Sequence, residues 1–432
     1  MGYNGNIMEN QEFVIPKGKK VVYAGRFQPF HNGHLSVVKW ILGQTNELTI
    51  VIGSMQEYSQ TRHPLTFRQR KEIIEKSLEA ENITNCRVVG IPDFLSDAAW
   101  SKKFLEVTDS KPAQTVVLTS NSWAQESLKK IGVQVMMHPM FLYNLSATSV
   151  RKQIADNHNW EELVPKPCAE YLKANGLDKK IAILQMSNSD RIIEFIRRAV
   201  EASGQKGVVL GVSGGIDSAV MAALSARAFG KKAHFYFLTF FRKCPYRKNV
   251  ALLEKALKID VKVFELDKLI EQYGKILPEG TNLAYGNLKP RIRMSILYYF
   301  ANLKKLMVLG TTNKSEMEIG YFTKHGDGGV DIEPLGDLYK SEIMELAAEF
   351  KLPEDVMESA PTATLWPGQT DEKELGIEYY QLDTVLKLMD QGFGTEEVVA
   401  LTDVSLAKIQ NLIERKRKNA HKLSRPPVCT LK

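Results

Sequence analysis

The chain has 432 residues, 44% of them hydrophobic and 25% charged, and a formal net charge of +7. Those values exclude a disordered or fibrous protein and fit two or three globular domains. No apolar run is long enough to span a bilayer, and the four cysteines (Cys86, Cys168, Cys244, Cys429) lack metal or redox spacing, which points to reduced thiols.

The modest positive charge fits nucleic acid and small polyphosphates equally well. The polar N-terminus has no signal-peptide core, so residues 1–19 are expected to form a flexible leader on a cytoplasmic protein. Residues 20–24 read as a short buried strand, followed by the loop GRFQPFHNGH and an apolar helix over 35–42. His31 and His34 stand three apart and share a face at the helix start, with Gly33 leaving room for a nucleotide at the backbone. Together with Arg26 they suit phosphate binding and charge stabilisation in phosphoryl transfer. Residues 48–54 read as a second strand, and Thr66 is expected to cap a helix over 68–79. Strands follow at 88–91, 115–118 and 133–137. Residues 145–151 then give a capped helix start carrying hydroxyls and an arginine, another phosphate-facing arrangement. Alternating strands and helices predict a parallel, doubly wound sheet with ligands at the strand C-terminal ends. A closing helix is expected over 169–177, with the charged 178–180 as a junction.

On these motifs, with GSMQ, RHPLTFRQR, IPDFLSDAAW, SNSW, LSATSVRKQ and WEELVPK in register, residues 20–177 resemble an archaeal-type nicotinamide mononucleotide adenylyltransferase. The resemblance implies that His31 and His34 bind ATP phosphates. Arg26, Arg62 and Arg151 would clamp them, with Gly25, Ser146 and Thr148 also at the ATP. It further implies that the 93–100 loop packs around the nicotinamide ring, with Asp93, Asp97, Trp100 and Asn121 receiving the mononucleotide. Trp100 would be a stacking surface unless it is ordinary core. Asp97 stands where that family usually has Asn. An ionised Asp97 would repel a nicotinate carboxylate, so a preference for the amide mononucleotide is expected.

In the second half, Ser189 is expected to cap a helix over 191–202. The run 208–220, VVLGVSGGIDSAV, reads as strand, small-residue loop and helix. Its Gly211, Ser213, Gly214, Gly215 and Ser218 offer backbone amides to a pyrophosphate, and Asp217 suits a Mg²⁺ there. Strands are expected at 233–238 and 262–266, with a basic rim over 242–248. Pro290 is expected to start a helix with Arg291 in its first turn, within reach of a substrate phosphate. Strand 307–309 leads into GTTNKSE, where Glu316 is a second carboxylate able to share Mg²⁺ with Asp217. The glycine-rich stretch 321–331 is expected to need a partner to order it, and Lys340 opens a further helix.

From Ile181 to Lys432 the chain resembles an ammonia-dependent NAD synthetase, on GVSGGIDS, GNLKPRIRM, GTTNKSE, GYFTKHGDGGVDIEPLGDLYK, SAPTATLWPGQTDE and HKLSRPP. The resemblance implies Asp217 and Glu316 as Mg²⁺ ligands, and Thr311, Lys340 and Thr362 as ATP contacts. Arg291, Lys324, Asp331, His421 and Lys422 would contact the deamidated nucleotide. It also implies a homodimer or higher homo-oligomer through this half. Thr312 stands where that family often has Asp, a departure at the expected ammonia site.

The whole reads as an α/β protein of two doubly wound, Rossmann-like parallel-sheet domains, 20–180 and 181–432. The first is an HxGH nucleotidyltransferase fold. The second is an ATP-pyrophosphatase fold, like the adenine nucleotide alpha hydrolases. The expected chemistry is adenylyl transfer from ATP to a pyridine mononucleotide, and ATP- and ammonia-dependent amidation of deamido-NAD through an acyl-adenylate. The alternative order amidates nicotinate mononucleotide first. Expected partners are small molecules (ATP, pyridine mononucleotide or deamido-NAD, ammonia), without nucleic acid or membrane. No glutaminase-type cysteine setting is visible, so free or partner-delivered ammonia is implied.

Overall fold

Strand β1 (Lys20–Gly25) is the hub of a five-stranded sheet in the computed structural model, which describes residues 14–139, 145–241, 244, 246–359, 362 and 369–429. Of the features above, the leader up to residue 13, Arg242, Lys243, Pro245, residues 360–361 and residues 363–368 lie outside the described residues. With β2 (Leu48–Ile52), β3 (Cys86–Gly90), β4 (Thr115–Leu118) and β5 (Gln134–Met136), the order is β3-β2-β1-β4-β5, every pair parallel. All five residues of β2 and all four of β4 are buried, as strands covered on both faces must be. The order reverses between β1 and β4, which marks the crevice where such sheets take ligands. The expected strands agree to within two residues.

Helices α1 (Asn32–Leu42), α2 (Phe67–Glu79), α3 (Asp97–Val107), α4 (Ser122–Lys130) and α5 (Ala147–Ala155) flank this sheet. Thr66 caps α2, its side chain accepting from Gln69 N at 3.2 Å. The expected closing helix splits into α6 (Lys166–Ala174) and α7 (Leu177–Leu184). Pro167 in the first turn starts α6 early, and Gly176, at φ 62°, takes the left-handed turn between the two helices. The charged stretch 178–180 is therefore helical: Leu177, Ile181 and Leu184 are buried, Lys179 is exposed and Lys180 donates to Ser59 Oγ at 2.8 Å. The leader also ends earlier than expected. Ile15 is buried with its N–H on Gln44 Oε1 at 2.9 Å, and Lys19 reaches Ala113 O.

The chain divides into two units. The first runs to Met186 together with Asp390–Phe393, and the second holds Ser187–Met389 and the chain from Gly394 on. In the second, β6 (Gly207–Gly211), β7 (Ala233–Thr239), β8 (Val261–Glu265) and β9 (Leu306–Val308) form a parallel sheet in the order β8-β7-β6-β9. Strand alternation puts Val208 and Leu210 in one core layer and Val209 in the other. The helices are α8 (Asn188–Ala202), α9 (Ile216–Phe229), α10 (Arg247–Leu257), α11 (Asp267–Ile276), α12 (Asn282–Lys304), α13 (Lys314–Ile319) and α14 (Lys340–Glu349). After them come α15 (Glu354–Met357), α16 (Asp371–Leu375), α17 (Tyr379–Asp390), α18 (Thr395–Leu401) and α19 (Leu406–Asn419). Among the described residues no helix is long and apolar enough to cross a membrane.

Three local expectations change. Ser187, not Ser189, caps α8 by accepting from Asp190 N at 3.1 Å, while Ser189 is buried and donates to Glu349 Oε1 at 2.6 Å. Pro290 does not start a helix: α12 runs through it, and Arg291 is mid-helix. A mid-helix proline costs about 3 kcal/mol locally. Here Leu288, Ile292, Ile296, Leu297 and Ala301 pack against Val209, Tyr236 and Val308, and that burial outweighs it. The stretch 321–331 needs no partner to be held. Thr323 N donates to Asp327 Oδ1 at 2.9 Å, Gly326 N to Thr323 O at 2.9 Å and Gly329 N to Gly326 O at 3.0 Å.

Candidate active sites

At the end of β1 the chain enters α1 through His31, which serves as its N-cap residue. The His31 and His34 rings stack at 3.6 Å, and His31 N donates to His34 Nδ1 at 3.1 Å. With Nδ1 accepting, His34 carries its proton on Nε2 and offers it as a donor. His31 Nδ1 is buried without a partner, as expected of an atom kept for a ligand. Burial, with His138 nearby, pushes His31 down to about 4, and burial with both other histidines pushes His34 well below the usual imidazole range. Both rings are thus neutral at neutral pH. A Cβ on Gly33 would stand 3.1 Å from the His31 ring, so glycine permits this stacking.

Arg151 is buried and donates to Gln28 O at 2.8 Å and to Thr148 Oγ1 at 3.2 Å, leaving Nε without a partner. Burial, then Arg62 and Arg26, lower its pKa, so the three guanidinium groups are close enough to repel one another. Arg26 and Arg62 are exposed. Ser146 caps α5 by accepting from Ser149 N at 3.1 Å, which leaves the helix dipole as a further anion attractor. A Cβ on Gly25 would stand 2.9 Å from the Phe27 ring. Three mutually repelling guanidinium groups, Arg26, Arg62 and Arg151, in the same unit as the two histidines are suited to an anion.

Sequence reasoning gave no role to Arg70, which is fully buried. It donates to Arg26 O at 3.0 Å, Gly53 O at 2.9 Å and Ser54 O at 3.0 Å, tying the loops after β1 and β2 together. Burial pushes it down to about 9. The available signal was an arginine on the apolar face of α2, in line with Phe67, Ile73, Ile74 and Ser77.

The residues expected around the nicotinamide ring take distinct roles. Asp93 is bound by Ser54 Oγ at 3.1 Å and Gln56 Nε2 at 3.0 Å, and burial raises its pKa. Trp100 is 5% exposed and packs on Phe104 in the core, whereas Trp123 is 39% exposed and meets it edge-on at 4.9 Å. The stacking surface on offer is therefore Trp123, and Trp100 is the core beneath it. Asp97 Oδ1 accepts from Trp123 Nε1 at 2.9 Å and Oδ2 from Lys130 at 2.9 Å. Both oxygens are engaged and the charge is balanced, which weakens the repulsion expected from an unpaired Asp97. Asn121 caps α4, accepting from Ala124 N at 3.1 Å.

In the second unit, the turn after β6 is closed on itself. Ser213 N donates to Ser218 Oγ at 3.1 Å, Gly215 N to Ser213 Oγ at 3.2 Å, and Ser218 Oγ to Gly215 O at 2.9 Å. Gly214 has φ 88° and a Cβ there would lie 2.9 Å from Tyr246, so only glycine fits. Gly211 ends the strand. Asp217, in the first turn of α9, accepts from Asn313 Nδ2 at 2.9 Å and from Lys340 Nζ at 2.5 Å. Asn313 caps α13, and its backbone N–H donates to Glu316 Oε2 at 3.2 Å. Burial, then Asp217, raise Glu316 well above the usual range. Lys340 is raised too: burial opposes this, but Asp217 and Glu316 outweigh it. Asp371, held by Tyr321 at 3.1 Å and Tyr379 at 3.2 Å, adds a third carboxylate to this field, its pKa raised by burial.

Three carboxyl groups meet one ammonium here, and as hard oxygen donors they suit Mg²⁺, whose charge would favour ionising the raised Glu316 and Asp371. Among the described residues no ready-made cage of three such ligands exists. Asp217 and Glu316 therefore fit an ion shared with phosphate oxygens. Asp383 on α17 sets this geometry: it accepts from Ser315 Oγ at 2.5 Å and Ser341 N at 2.8 Å, fixing the starts of α13 and α14. It went unnoticed in the sequence, although it is an acid on the apolar face of α17.

Of the expected nucleotide contacts, four come together. Arg291 donates to Lys324 O at 3.3 Å, Lys324 to His421 O at 2.5 Å, and Lys422 to Gly320 O at 2.6 Å and Phe322 O at 2.9 Å. Asp331 is committed elsewhere, accepting from Tyr298 at 2.9 Å and Val308 N at 2.7 Å. A cavity of about 150 Å³ opens between the ends of β6 and β9, lined among others by Gly211, Ser213, Thr311, Asp327 and Arg293. Arg293 falls within the GNLKPRIRM motif. It is anchored to Leu238 O at 2.9 Å and lies over the Phe240 ring. Thr362 is half-buried. Thr312, the departure noted above, donates to Glu333.

Residues 188–426 match the family model described as NAD synthase, and residues 22–153 the model described as cytidylyltransferase-like. The NH(3)-dependent NAD(+) synthetase of Archaeoglobus fulgidus is 43% identical over 249 residues, 56% of this chain and 96% of that protein. Its counterpart from Methanocaldococcus jannaschii is 42% identical over 245 residues, 55% of this chain and 94% of that protein. Among solved structures, the NMN synthetase from Francisella tularensis aligns with a TM-score of 0.51 at 28% identity, over 56% of this chain and 98% of that one.

Proposed function

Because the chain belongs to the NAD synthase family and carries a cytidylyltransferase-like domain ahead of it, making a bifunctional enzyme of NAD biosynthesis, we propose that the first unit adenylylates a pyridine mononucleotide and the second amidates deamido-NAD with ATP and ammonia. In the first unit, the mononucleotide phosphate oxygen attacks the α-phosphorus of ATP. Arg26, Arg62 and Arg151 hold the phosphates, and His31 and His34 donate hydrogen bonds to the charge that develops. Trp123 stacks on the pyridine ring.

In the second unit, the nicotinate carboxylate attacks the α-phosphorus of a second ATP, pyrophosphate leaves, and ammonia converts the acyl-adenylate to the amide, releasing AMP. The turn carrying Ser213, Gly214, Gly215 and Ser218 cradles pyrophosphate at the N-terminus of α9. Asp217 and Glu316 would hold Mg²⁺, which neutralises the leaving pyrophosphate when bound. Thr311, Lys340 and Thr362 lie on the ATP side, and Arg291, Lys324, His421 and Lys422 receive the acidic nucleotide. The observation that carries this reading is the Asp217–Glu316–Lys340 cluster beside the glycine turn.

A second copy of the chain covers the apolar surface around edge strand β8, α11 and α12. There Ile276 is 80%, Leu303 64% and Tyr299 62% exposed. Tyr299→Glu is expected to lower the mass seen by light scattering.

The likeness to the NMN synthetase supports a second reading, in which nicotinate mononucleotide is amidated first. Competition between nicotinate mononucleotide and deamido-NAD at equal concentration, with ATP, Mg²⁺ and ammonium, separates the two. The main reading predicts a higher kcat/KM for deamido-NAD. Accumulation of nicotinamide mononucleotide by a His34→Ala chain would favour the other order.

A further inference from the structure

The Glu333 carboxyl lies against Gly310, just past the end of β9. A Cβ on Gly310 would stand 2.0 Å from Glu333 Oε2, so this approach exists only because residue 310 is glycine. Thr312 N donates to Oε2 at 3.2 Å and Thr312 Oγ1 to Oε1 at 3.1 Å. Among the described residues no cation contributes to its environment, and Asp327 is its charged neighbour. Gly310 and Thr311 line the cavity between β6 and β9, as does Asp327. The other acids named in the site are already engaged: Asp217 by Lys340, Asp371 by two tyrosines and Glu316 by Asn313 N.

Amidation sets a requirement that none of the residues so far assigned meets. At neutral pH the nitrogen donor is ammonium, whose lone pair is taken by a proton. A carboxylate oriented by two donors, lacking a cation and packed directly behind Gly310, which lines the cavity, is the group that requirement asks for. We propose that Glu333 captures ammonium and removes its proton, freeing ammonia to attack the adenylated carboxyl; this rests on the amidation reading above.

The step balances. Ammonium gives one proton to the Glu333 carboxylate. The nitrogen lone pair forms the C–N bond, the acyl C–O bond to AMP breaks, and its electron pair leaves on the AMP phosphate. The second nitrogen proton passes to that leaving phosphate or to solvent. Burial pushes the Glu333 carboxyl up to about 8, with Asp327 adding to this and the Thr312 hydrogen bonds opposing it. A base near the operating pH is efficient at proton transfer.

The test uses the full chain with deamido-NAD, ATP and Mg²⁺, comparing ammonium with hydroxylamine, a nucleophile largely neutral at neutral pH. For Glu333→Gln, kcat/KM for ammonium is expected to fall about 10²-fold. Hydroxamate formation and pyrophosphate release should stay near wild type, and Glu333→Asp should restore part of the ammonium activity. Unchanged ammonium use, or equal losses with both nucleophiles, would overturn the assignment. If the wild-type chain itself made no amide from ammonium, the amidation reading would fall instead.

Discussion

The site at the end of β1 is built from arginines and neutral imidazoles, whereas the site at the end of β6 is built from backbone amides, carboxylates and one lysine. Both follow the same local plan of parallel strand, glycine-bearing turn and helix N-terminus, placed where the strand order reverses. Their electrostatics are opposite. The first brings together Arg26, Arg62 and Arg151, whose charges repel one another, an arrangement suited to an anion. The second gathers three carboxyl groups around Lys340, two of them, Glu316 and Asp371, raised by burial, a setting that a cation arriving with the nucleotide would complement. A common plan for the backbone therefore leaves the choice of charge to a few side chains.

The largest test of this contrast is Asp217→Ala. It should cut amidation by about 10³-fold or more in a coupled AMP assay, and leave adenylyl transfer intact. His34→Ala should lower adenylyl transfer by about 10²-fold, measured by dinucleotide formation, with amidation of deamido-NAD unchanged. Loss of both activities in either variant would break the separation of the sites.

The neutral imidazoles also predict how stability depends on pH. His31 is depressed to about 4 from an ordinary 6.5, so the unfolded chain binds its proton first as pH falls. Its stabilising contribution is complete above the unfolded value and is lost as pH drops from about 6.5 to about 4, amounting to about 3 kcal/mol. Four of the five tryptophans (Trp40, Trp100, Trp123 and Trp160) lie in the first unit. Acid unfolding followed by tryptophan fluorescence should show this slope, and His31→Gln should flatten it.

Smaller effects refine the pyridine end of the first site. Trp123→Ala should raise the KM for the mononucleotide about tenfold, the scale of one stacked base, without a matching fall in kcat. Asp97→Asn should change the ratio of amide to acid mononucleotide use by no more than about fivefold, because Lys130 already balances that exposed carboxylate. A larger shift would restore the charge-repulsion argument.

Strands, glycine turns and the capped helix starts were legible in the sequence because each depends on a few adjacent residues. Thr66 and the 213–218 turn show this, whereas the cluster of Arg291, Lys324, His421 and Lys422 came from the family resemblance. What escaped was set by tertiary packing. Pro290 sits inside α12 because its neighbours bury against β6 and β9, which no local rule weighs. Arg70 and Asp383 hold the two sites from apolar helix faces, where a charged residue has no short motif to announce it. Of the two readings of Trp100, stacking surface or core, the fold shows core, with Trp123 the exposed ring beside it, because only the packed core shows which ring is covered. Asp331 is taken up by Tyr298 and Val308, partners that only the fold supplies.

The central claim is that one chain performs two ATP-consuming steps at two independent sites. The most direct measurement gives the Asp217→Ala chain nicotinate mononucleotide, ATP, Mg²⁺ and ammonium and separates the nucleotides formed. Accumulation of deamido-NAD with no NAD is the expected result. Formation of NAD, or of no dinucleotide at all, would contradict it.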